Sequence, residues 1–470
     1  MLPAPRNYSA SPSVVPADKI VKITIAPTER AFLPVQNAEY RITIISGDVD
    51  EISYYEPTTH RTLTAVAHGG VIEFECAFPG EMDHLIVLER DEKKLGEMFI
   101  YSLEEDLYGL TPLKGDLHGH SFRSDGKRDP AALAGHYREQ GYDFFALTDH
   151  NRFYPGGEID ETFSGVQLGV TRVPGEEVHT PGSVVHIVRV GGEDSVADMY
   201  VHDRETYERE AAEYEQRVPG NVPEQYRGRY ARAMWATDRI HEKGGLAIFA
   251  HPFWRPGKSK VHNVDNRFAR ILLRSGMFDA FELMGGMSQP GNNRAVAMWA
   301  ELREEGVRIP VVGSSDVHGL ENASTFPHLF TICFAKGNDS ASIIEAVRAG
   351  RCVAVEATGD EYARHYRCYG SYRLVSFAQY LLKHYFPHMQ RICQGEGAAM
   401  RAYAMGDADA ALIELQSAQS ANFRARFLGT QAPLKPSAAV LDFEARWREI
   451  HLNGPITKGS SVDPPVTRQI

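Results

Sequence analysis

After a lead rich in Pro, Ser and Ala, the chain opens with short runs of β-branched and aromatic residues. The runs at 20–25, 40–45, 71–76 and 84–88 alternate apolar with polar positions, and Gly, Pro and Asp separate them. A period of two at this spacing predicts an antiparallel β-sandwich over residues 20–110, with 1–19 as a flexible lead. It contains no catalytic constellation. From about Leu113 the rhythm changes, and apolar runs at 113–117, 144–147, 246–249, 280–283, 309–312 and 352–355 alternate with helical patterns. Asp129 and Pro130 start one helix as N-cap and first helical residue, and Gly141 stops it. Further helices are predicted over 231–243, 293–305 and 340–349, each followed by Gly. Strand and helix in this order predict an α/β domain over 111–358, a mostly parallel sheet or barrel with its chemistry at the C-terminal strand ends. A highly charged interruption at about 192–228 reads as a solvated insertion or lid. Residues 359–453 read as helical, with helices at 362–385, 398–419 and 438–451, and 454–470 as a flexible tail.

Composition narrows the class. The chain has 470 residues, enough for about three domain-sized units. It is 43% hydrophobic and 24% charged, which excludes a disordered or collagen-like protein. Lys and Arg number 50 against 62 Asp and Glu, a formal net charge of −12, so nucleic acid is not an expected partner. The five Cys are scattered without a CxxC pair, as in a reducing compartment. Neither a secretory h-region nor an apolar stretch of membrane-spanning length is present, so a cytoplasmic protein without a membrane partner is expected. The pattern leaves the oligomeric state open.

The 19 His matter more than their number, because several sit at strand ends. His118-Gly119-His120 closes the first barrel strand, and in an extended segment both imidazoles project to one face, where they can share a metal. Asp125 follows in Ser124-Asp125-Gly126. The next strand ends Thr148-Asp149-His150, another ends Gly175-Glu176-Glu177, and His186 lies in Val185-His186-Ile187. Ala250-His251-Pro252 and Asp316-Val317-His318 close two more. Each piece alone has an ordinary reading: an HxH pair as surface chemistry, His251 before Pro as structural, Asp149 as a turn or cap. Repetition at five strand ends points instead to a metal centre.

These segments resemble the four motifs of the PHP (polymerase and histidinol phosphatase) metallohydrolases, over roughly half the chain. The chain looks most like the stand-alone phosphoesterases and the branch that carries an extra N-terminal β domain. The resemblance implies a distorted (β/α)7 barrel holding two or three divalent ions, Zn, Mn or Fe. It implies that His118, His120, Glu177 and Asp316 hold one ion. Glu177 would bridge to a second held by His186 and His251, and Asp125, His150 and His318 would hold a third. Glu176 and Glu177 are adjacent, strand alternation lets only one face the barrel mouth, and the family pattern selects Glu177. Asp125 stands where some members carry His, which shifts preference from Zn toward Mn or Fe.

A mixed His and carboxylate cluster suits attack by a metal-bound hydroxide on a small phosphomonoester or phosphodiester, with Asp316, His318 and Glu177 as the expected catalytic residues. Arg123, Arg152, Arg255 and Lys258 lie within a few residues of these positions and are the expected phosphate-binding cations, otherwise solvated surface charges. His179, His202 and His262 read as surface residues or as neighbours of the ligands, and Glu282 as a candidate partner of a ligand. The alternatives are the same metal site acting on a carboxylic ester, carbamate or amide, and a non-catalytic binding or scaffold protein working through the β-sandwich.

Overall fold

The computed structural model describes residues 7–46, 60–153, 157–320, 325–359 and 364–429. Eight strands form the N-terminal unit: β1 (Tyr8–Ser11), β2 (Val14–Pro16), β3 (Ile20–Pro27), β4 (Glu39–Ile45), β5 (His60–His68), β6 (Val71–Ala77), β7 (Met82–Arg90) and β8 (Lys93–Leu103). Their order is β1-β3-β6-β5-β4-β7-β8-β2. All pairs are antiparallel except β2 with β8, and β5 pairs with β4 along its length but with β6 only through Ala67 and His68. Alternation positions the core: in β4, Tyr40, Ile42 and Ile44 are buried while Glu39 and Arg41 are exposed. The stretch expected as a flexible lead supplies β1 and β2, because Tyr8, Val14 and Val15 are buried side chains.

The second sheet runs β15-β14-β13-β12-β11-β10-β9-β16-β17-β18. Its strands are β9 (Thr111–Asp116), β10 (Phe144–Leu147), β11 (Thr171–Val178), β12 (Ile187–Val190), β13 (Leu246–Phe249), β14 (Ala280–Met284), β15 (Val311–Gly313), β16 (Leu329–Ala335), β17 (Cys352–Thr358) and β18 (His365–Tyr369). The β9-β10-β11 and β13-β14-β15 runs are parallel, while β12 is antiparallel to both its neighbours and β16 is antiparallel to β9. Thr331 Oγ1 on β16 donates to the Gly313 carbonyl of edge strand β15 at 2.7 Å and accepts from its N–H at 3.0 Å, so the sheet curls back on itself and nearly closes into a barrel.

One residue set, with Leu113, Phe144, Val188, Ile248, Ala280 and Val312, forms a core cluster. The alternate set, Ile187, Phe249, Phe281 and Leu283, packs with the apolar faces of α5 (Arg227–Glu242), α6 (Asn266–Arg274) and α7 (Gln289–Glu304). The other helices are α1 (Pro130–Glu139), α2 (Gly157–Thr162), α3 (Ala197–His202), α4 (Arg204–Gln216), α8 (Ser340–Arg348), α9 (Tyr372–His384), α10 (Phe386–Ala404) and α11 (Ala410–Leu428). Asp129 caps α1 by accepting from the Ala132 N–H at 2.8 Å.

Three further expectations change. The charged 192–228 stretch carries α3 and α4, but Tyr207, Ala211 and Tyr214 bury the inner face of α4 in the core cluster that contains Trp235 of α5, so only its outer face is solvated. The helix expected over 362–385 starts at Tyr372, behind strand β18, whose cross-strand partner is β17. The helix expected over 398–419 is two, broken where Gly406 takes a φ of 82° and Asp409 caps α11. The helix expected over 438–451 and the tail at 454–470 lie outside the described residues.

The C-terminal helices are tied to the barrel through polar contacts. Arg138 of α1, fully buried, donates to Glu396 of α10 at 2.7 Å and to Ser420 of α11 at 2.7 Å. Glycines let α1 and α10 approach closely: a Cβ on Gly397 would lie 2.4 Å from the Gly135 carbonyl oxygen. The five Cys are free thiols, and no helix among the described residues is long and apolar enough to cross a membrane.

Candidate metal centre

The chain segments that leave the barrel strands are stitched to one another. Beyond β9, the His118 carbonyl accepts from the Asp316 N–H at 2.9 Å, and the His120 N–H donates to the Val317 carbonyl at 2.8 Å. The Glu177 N–H donates to the Thr148 carbonyl at 3.0 Å, which joins the ends of β10 and β11. Asp149 faces the loop that carries Asp125 and accepts from Ser121 N–H at 2.9 Å, Ser121 Oγ at 2.8 Å and Ser124 Oγ at 2.7 Å. In the same loop a Cβ on Gly126 would lie 2.2 Å from the His120 carbonyl oxygen, so the turn requires glycine. His251 and Asp316 have φ of 22° and 52°, a region non-glycine residues rarely occupy. Such strain persists only where surrounding contacts determine the backbone.

This stitching brings all the expected ligands together around Glu177, which is fully buried. Its Oε1 lies 3.1 Å from His186 Nδ1, 3.1 Å from His251 Nε2 and 3.0 Å from His179 Nε2. Its Oε2 lies 3.4 Å from His118 Nε2, 3.4 Å from His120 Nε2 and 2.8 Å from His150 Nδ1. Asp316 Oδ1 is 3.3 Å from His118 Nε2 and 3.0 Å from His120 Nε2. Asp125 Oδ1 is 3.3 Å from His150 Nε2 and 3.2 Å from His318 Nε2. Donor atoms close enough to share an ion fall into overlapping sets: His118, His120 and Glu177; His118, His251 and Asp316; Glu177, His186 and His251; His120, Asp125, His150 and His318; His150, Glu177 and His179.

Glu176 points elsewhere, to Arg189 Nη1 at 2.8 Å and Ser195 Oγ at 2.8 Å, as alternation along β11 requires. His179 joins the cluster although its sequence context reads as surface. It lies two residues beyond Glu177 in extended chain, hence on the same face, and that spacing is the signal that could have identified it.

The donor chemistry fits a divalent metal. His118 Nε2, His120 Nδ1, His179 Nε2, His186 Nδ1, His251 Nδ1 and Glu177 Oε2 are buried and none makes a hydrogen bond of good geometry, the carboxylate contacts above being close but misdirected, although a buried polar atom normally makes one. Imidazole nitrogens with carboxylate oxygens suit first-row divalent ions. Burial disfavours charge throughout, yet Asp316, Glu282 and Glu177 raise His118 above the usual imidazole range, and Glu177 also raises His150 and His251. Burial pushes His120 down and His186 down to about 4. Against the opposing effect of burial, the imidazoles hold Glu177 and Asp316 below the carboxylate range. An ion would have to displace protons from the raised imidazoles, so its affinity falls as pH drops.

Glu282 on β14 orients the centre. Its Oε2 lies 2.8 Å from His118 Nδ1, which turns Nε2 toward Glu177 and Asp316. A carboxylate behind a ligating imidazole fixes the ring and its tautomer, and losing it typically costs about 10–100-fold in metal affinity. Glu282→Gln should weaken metal binding by about that factor, measured by chelator competition, while the circular dichroism spectrum is unchanged.

The centre floors a cavity of about 400 Å³ whose lining includes Trp254, Lys127, Thr325 and Gly286. None of the four expected cations is among the lining residues. Arg123 pairs with Glu158, and Arg255 and Lys258 are exposed on the loop after His251. Arg152 is exposed too, and its N–H caps the turn at Asp149. Lys127 is the cation at the mouth, carried there by the turn that contains Asp125.

The structural neighbours include PHP-like phosphoesterases and an amidohydrolase. The first is a two-domain protein of Bacteroides vulgatus containing a predicted PHP-like metal-dependent phosphoesterase, at 20% identity and a TM-score of 0.36, over 52% of this chain and 65% of that one. This chain therefore matches somewhat under two thirds of its length. A protein of Bifidobacterium adolescentis named for metal-dependent phosphoesterase activity matches at 19% identity and a TM-score of 0.30, over 44% of this chain and 87% of that one. An amidohydrolase of Chromobacterium violaceum, solved with sulfate and no metal, matches at 18% identity and a TM-score of 0.30, over 44% and 88%. No protein-family profile and no curated protein matches the chain.

Proposed function

We propose that the protein is a metal-dependent hydrolase of the PHP type, built on a (β/α)7-like barrel beside an N-terminal β-sandwich, and that it cleaves a small phosphoester. The observation that carries the reading is the convergence of His118, His120, His186, His251, Glu177 and Asp316 in overlapping sets of donor atoms, with several of those atoms in no hydrogen bond. Two or three Zn, Mn or Fe ions held there would polarise a substrate oxygen and acidify water. The chain's own part is to hold that arrangement. Glu177 presents one oxygen to each half of the cluster, and Glu282 fixes the ring of His118. Asp125, His150 and His318 complete the outer half, while Lys127 and Trp254 give the mouth one cationic and one apolar wall. In the net reaction water adds to phosphorus, the ester P–O bond breaks, and the alcohol leaves with a proton.

A second reading has its own support. The arginines expected to grip phosphate are not in the cavity lining, which suits a less charged substrate such as a carboxylic ester, carbamate or amide. Elemental analysis of the purified chain, joined to turnover of p-nitrophenyl phosphate, bis-p-nitrophenyl phosphate and a naphthyl ester with added Mn or Zn, separates the two. Phosphate release that disappears in His118→Ala, His251→Ala and Asp316→Ala is the expected result. Turnover retained in all three variants would sink the metal mechanism, and ester cleavage without phosphate release would select the second reading.

A further inference from the structure

A larger cavity, of about 960 Å³, lies away from the metal centre, where β8, β9 and β16 meet α9 and α10. Its most buried charged lining residue is Lys114 of β9, 5% exposed. Lys114 Nζ donates to the Gln140 carbonyl at 2.8 Å and sits 4.4 Å from the Tyr142 ring centre and 4.7 Å from that of Phe330. A buried ammonium ordinarily has a carboxylate partner. The acid acting on Lys114 is Asp143, whose carboxylate is already paired with Arg424 and within 3.5 Å of Arg138. Glu81, which also lines the cavity, is held by Arg373 at 2.7 Å, and Asp83 and Glu104 are exposed.

Other cations crowd the same wall. Arg364 lines the cavity, and its Nε is buried without a hydrogen-bond partner. His328 Nδ1 and the Tyr142 hydroxyl, next to it in the fold, are also buried and unpartnered. Burial and then Arg364 push the Lys114 ammonium down to about 7, and burial, Arg364 and Lys114 push His328 down. Among the described residues the one carboxylate acting on Lys114 is Asp143, already shared with Arg424, so this wall carries more cationic than anionic charge. Phe330, Tyr380 and Phe386 supply apolar wall beside it.

We propose that this cavity is a second ligand site, for a small organic anion whose phosphate or carboxylate head lies between Lys114 and Arg364 and whose apolar body rests on Phe330, Tyr380 and Phe386. Such a ligand would touch the barrel sheet and the C-terminal helices together, and would stabilise their packing in proportion to its occupancy.

The test is calorimetric titration of the metal-loaded full chain with phenylphosphonate, benzoate and neutral benzamide. Phenylphosphonate or benzoate should bind, whichever does so naming the head group, and benzamide should not. Binding should survive Glu177→Gln, which disables the metal centre, and should weaken by about tenfold or more in Arg364→Gln and Lys114→Met, the loss expected for one charge-assisted contact. Binding lost in Glu177→Gln but unchanged in Arg364→Gln overturns the proposal, as does equal binding of benzamide or no binding of either anion at millimolar concentration. Should the buried Lys114 variant not fold, bromobenzoate located by anomalous scattering in crystals of the native chain decides the matter. Bromine against Phe330 supports the site, and bromine elsewhere or nowhere refutes it.

Discussion

Glu177→Gln should remove turnover and lower the bound metal further than the loss of any histidine it faces. The substitution keeps the volume of the side chain and takes away only its charge, so the backbone of β11 has no reason to move. Each Glu177 oxygen faces a different group of imidazoles, Oε1 toward His179, His186 and His251, and Oε2 toward His118, His120 and His150. A single neutral amide can offer only its one oxygen as an acceptor, and its NH2 group would point donors at imidazole nitrogens that must themselves donate to an ion. A group that merely supports a ligand costs about 10–100-fold when lost, so a shared ligand should cost more than about 100-fold in activity at limiting metal. His186→Ala, which removes a side chain facing only Oε1, should spare more of the metal. Elemental analysis of both variants after identical supplementation compares them. Equal metal content in Glu177→Gln and the native chain would show that Glu177 does not bridge.

The ligand cluster was legible because strand ends are where a barrel gathers its chemistry, and His118, His120, His150, His251, Asp316 and His318 all follow apolar runs that are strands. Alternation was enough to separate Glu177 from Glu176, since adjacent residues of β11 must face opposite ways, one to the imidazoles and one to Arg189. The same rule places His179 beside Glu177. That the expected phosphate cations do not line the cavity has a reason invisible locally: proximity in sequence to the cluster does not fix where a long side chain turns. Arg123 turns to Glu158, a partner on α2 that no motif announces. The break between α10 and α11 had both its markers in view, Gly406 and Asp409, but helical periodicity on either side masked them.

The backbone strain at His251 and Asp316 connects these observations. They lie two and three residues past a barrel strand, with φ of 22° and 52°, and each faces the centre. The hydrogen bonds that hold Asp316 in place run to β9 through His118 and Asp116, whose carboxylate accepts from the neighbouring Ser315 N–H at 3.0 Å and the His118 N–H at 3.1 Å. Fold stability and the geometry of the centre are therefore coupled through the closed side of the barrel.

The largest stability effect is expected far from the centre, in Glu396→Ala. Glu396 and Arg138 are both fully buried, and Glu396 also accepts from the Gly169 N–H at 2.6 Å. Removing the carboxylate strands a guanidinium whose remaining contacts are Ser420 at 2.7 Å, the Tyr142 carbonyl at 3.1 Å and Asp143 at 3.5 Å. Asp143 cannot compensate, because Arg424 already pairs with it. Breaking a buried pair from one side costs about 3–5 kcal/mol, whereas replacing both members by apolar residues of similar size is often neutral or stabilising. Urea unfolding should therefore show Glu396→Ala destabilised by about 3–5 kcal/mol and the double variant Arg138→Met, Glu396→Leu closer to the native chain. The single variant should lose the packing of α10 and α11 on α1 before it loses metal, since none of the ligands lies on those helices. A single variant within about 1 kcal/mol of the native chain would mean that the pair does not hold the C-terminal helices, and that the apolar contacts of Tyr385, Phe386 and Met389 with α1 suffice.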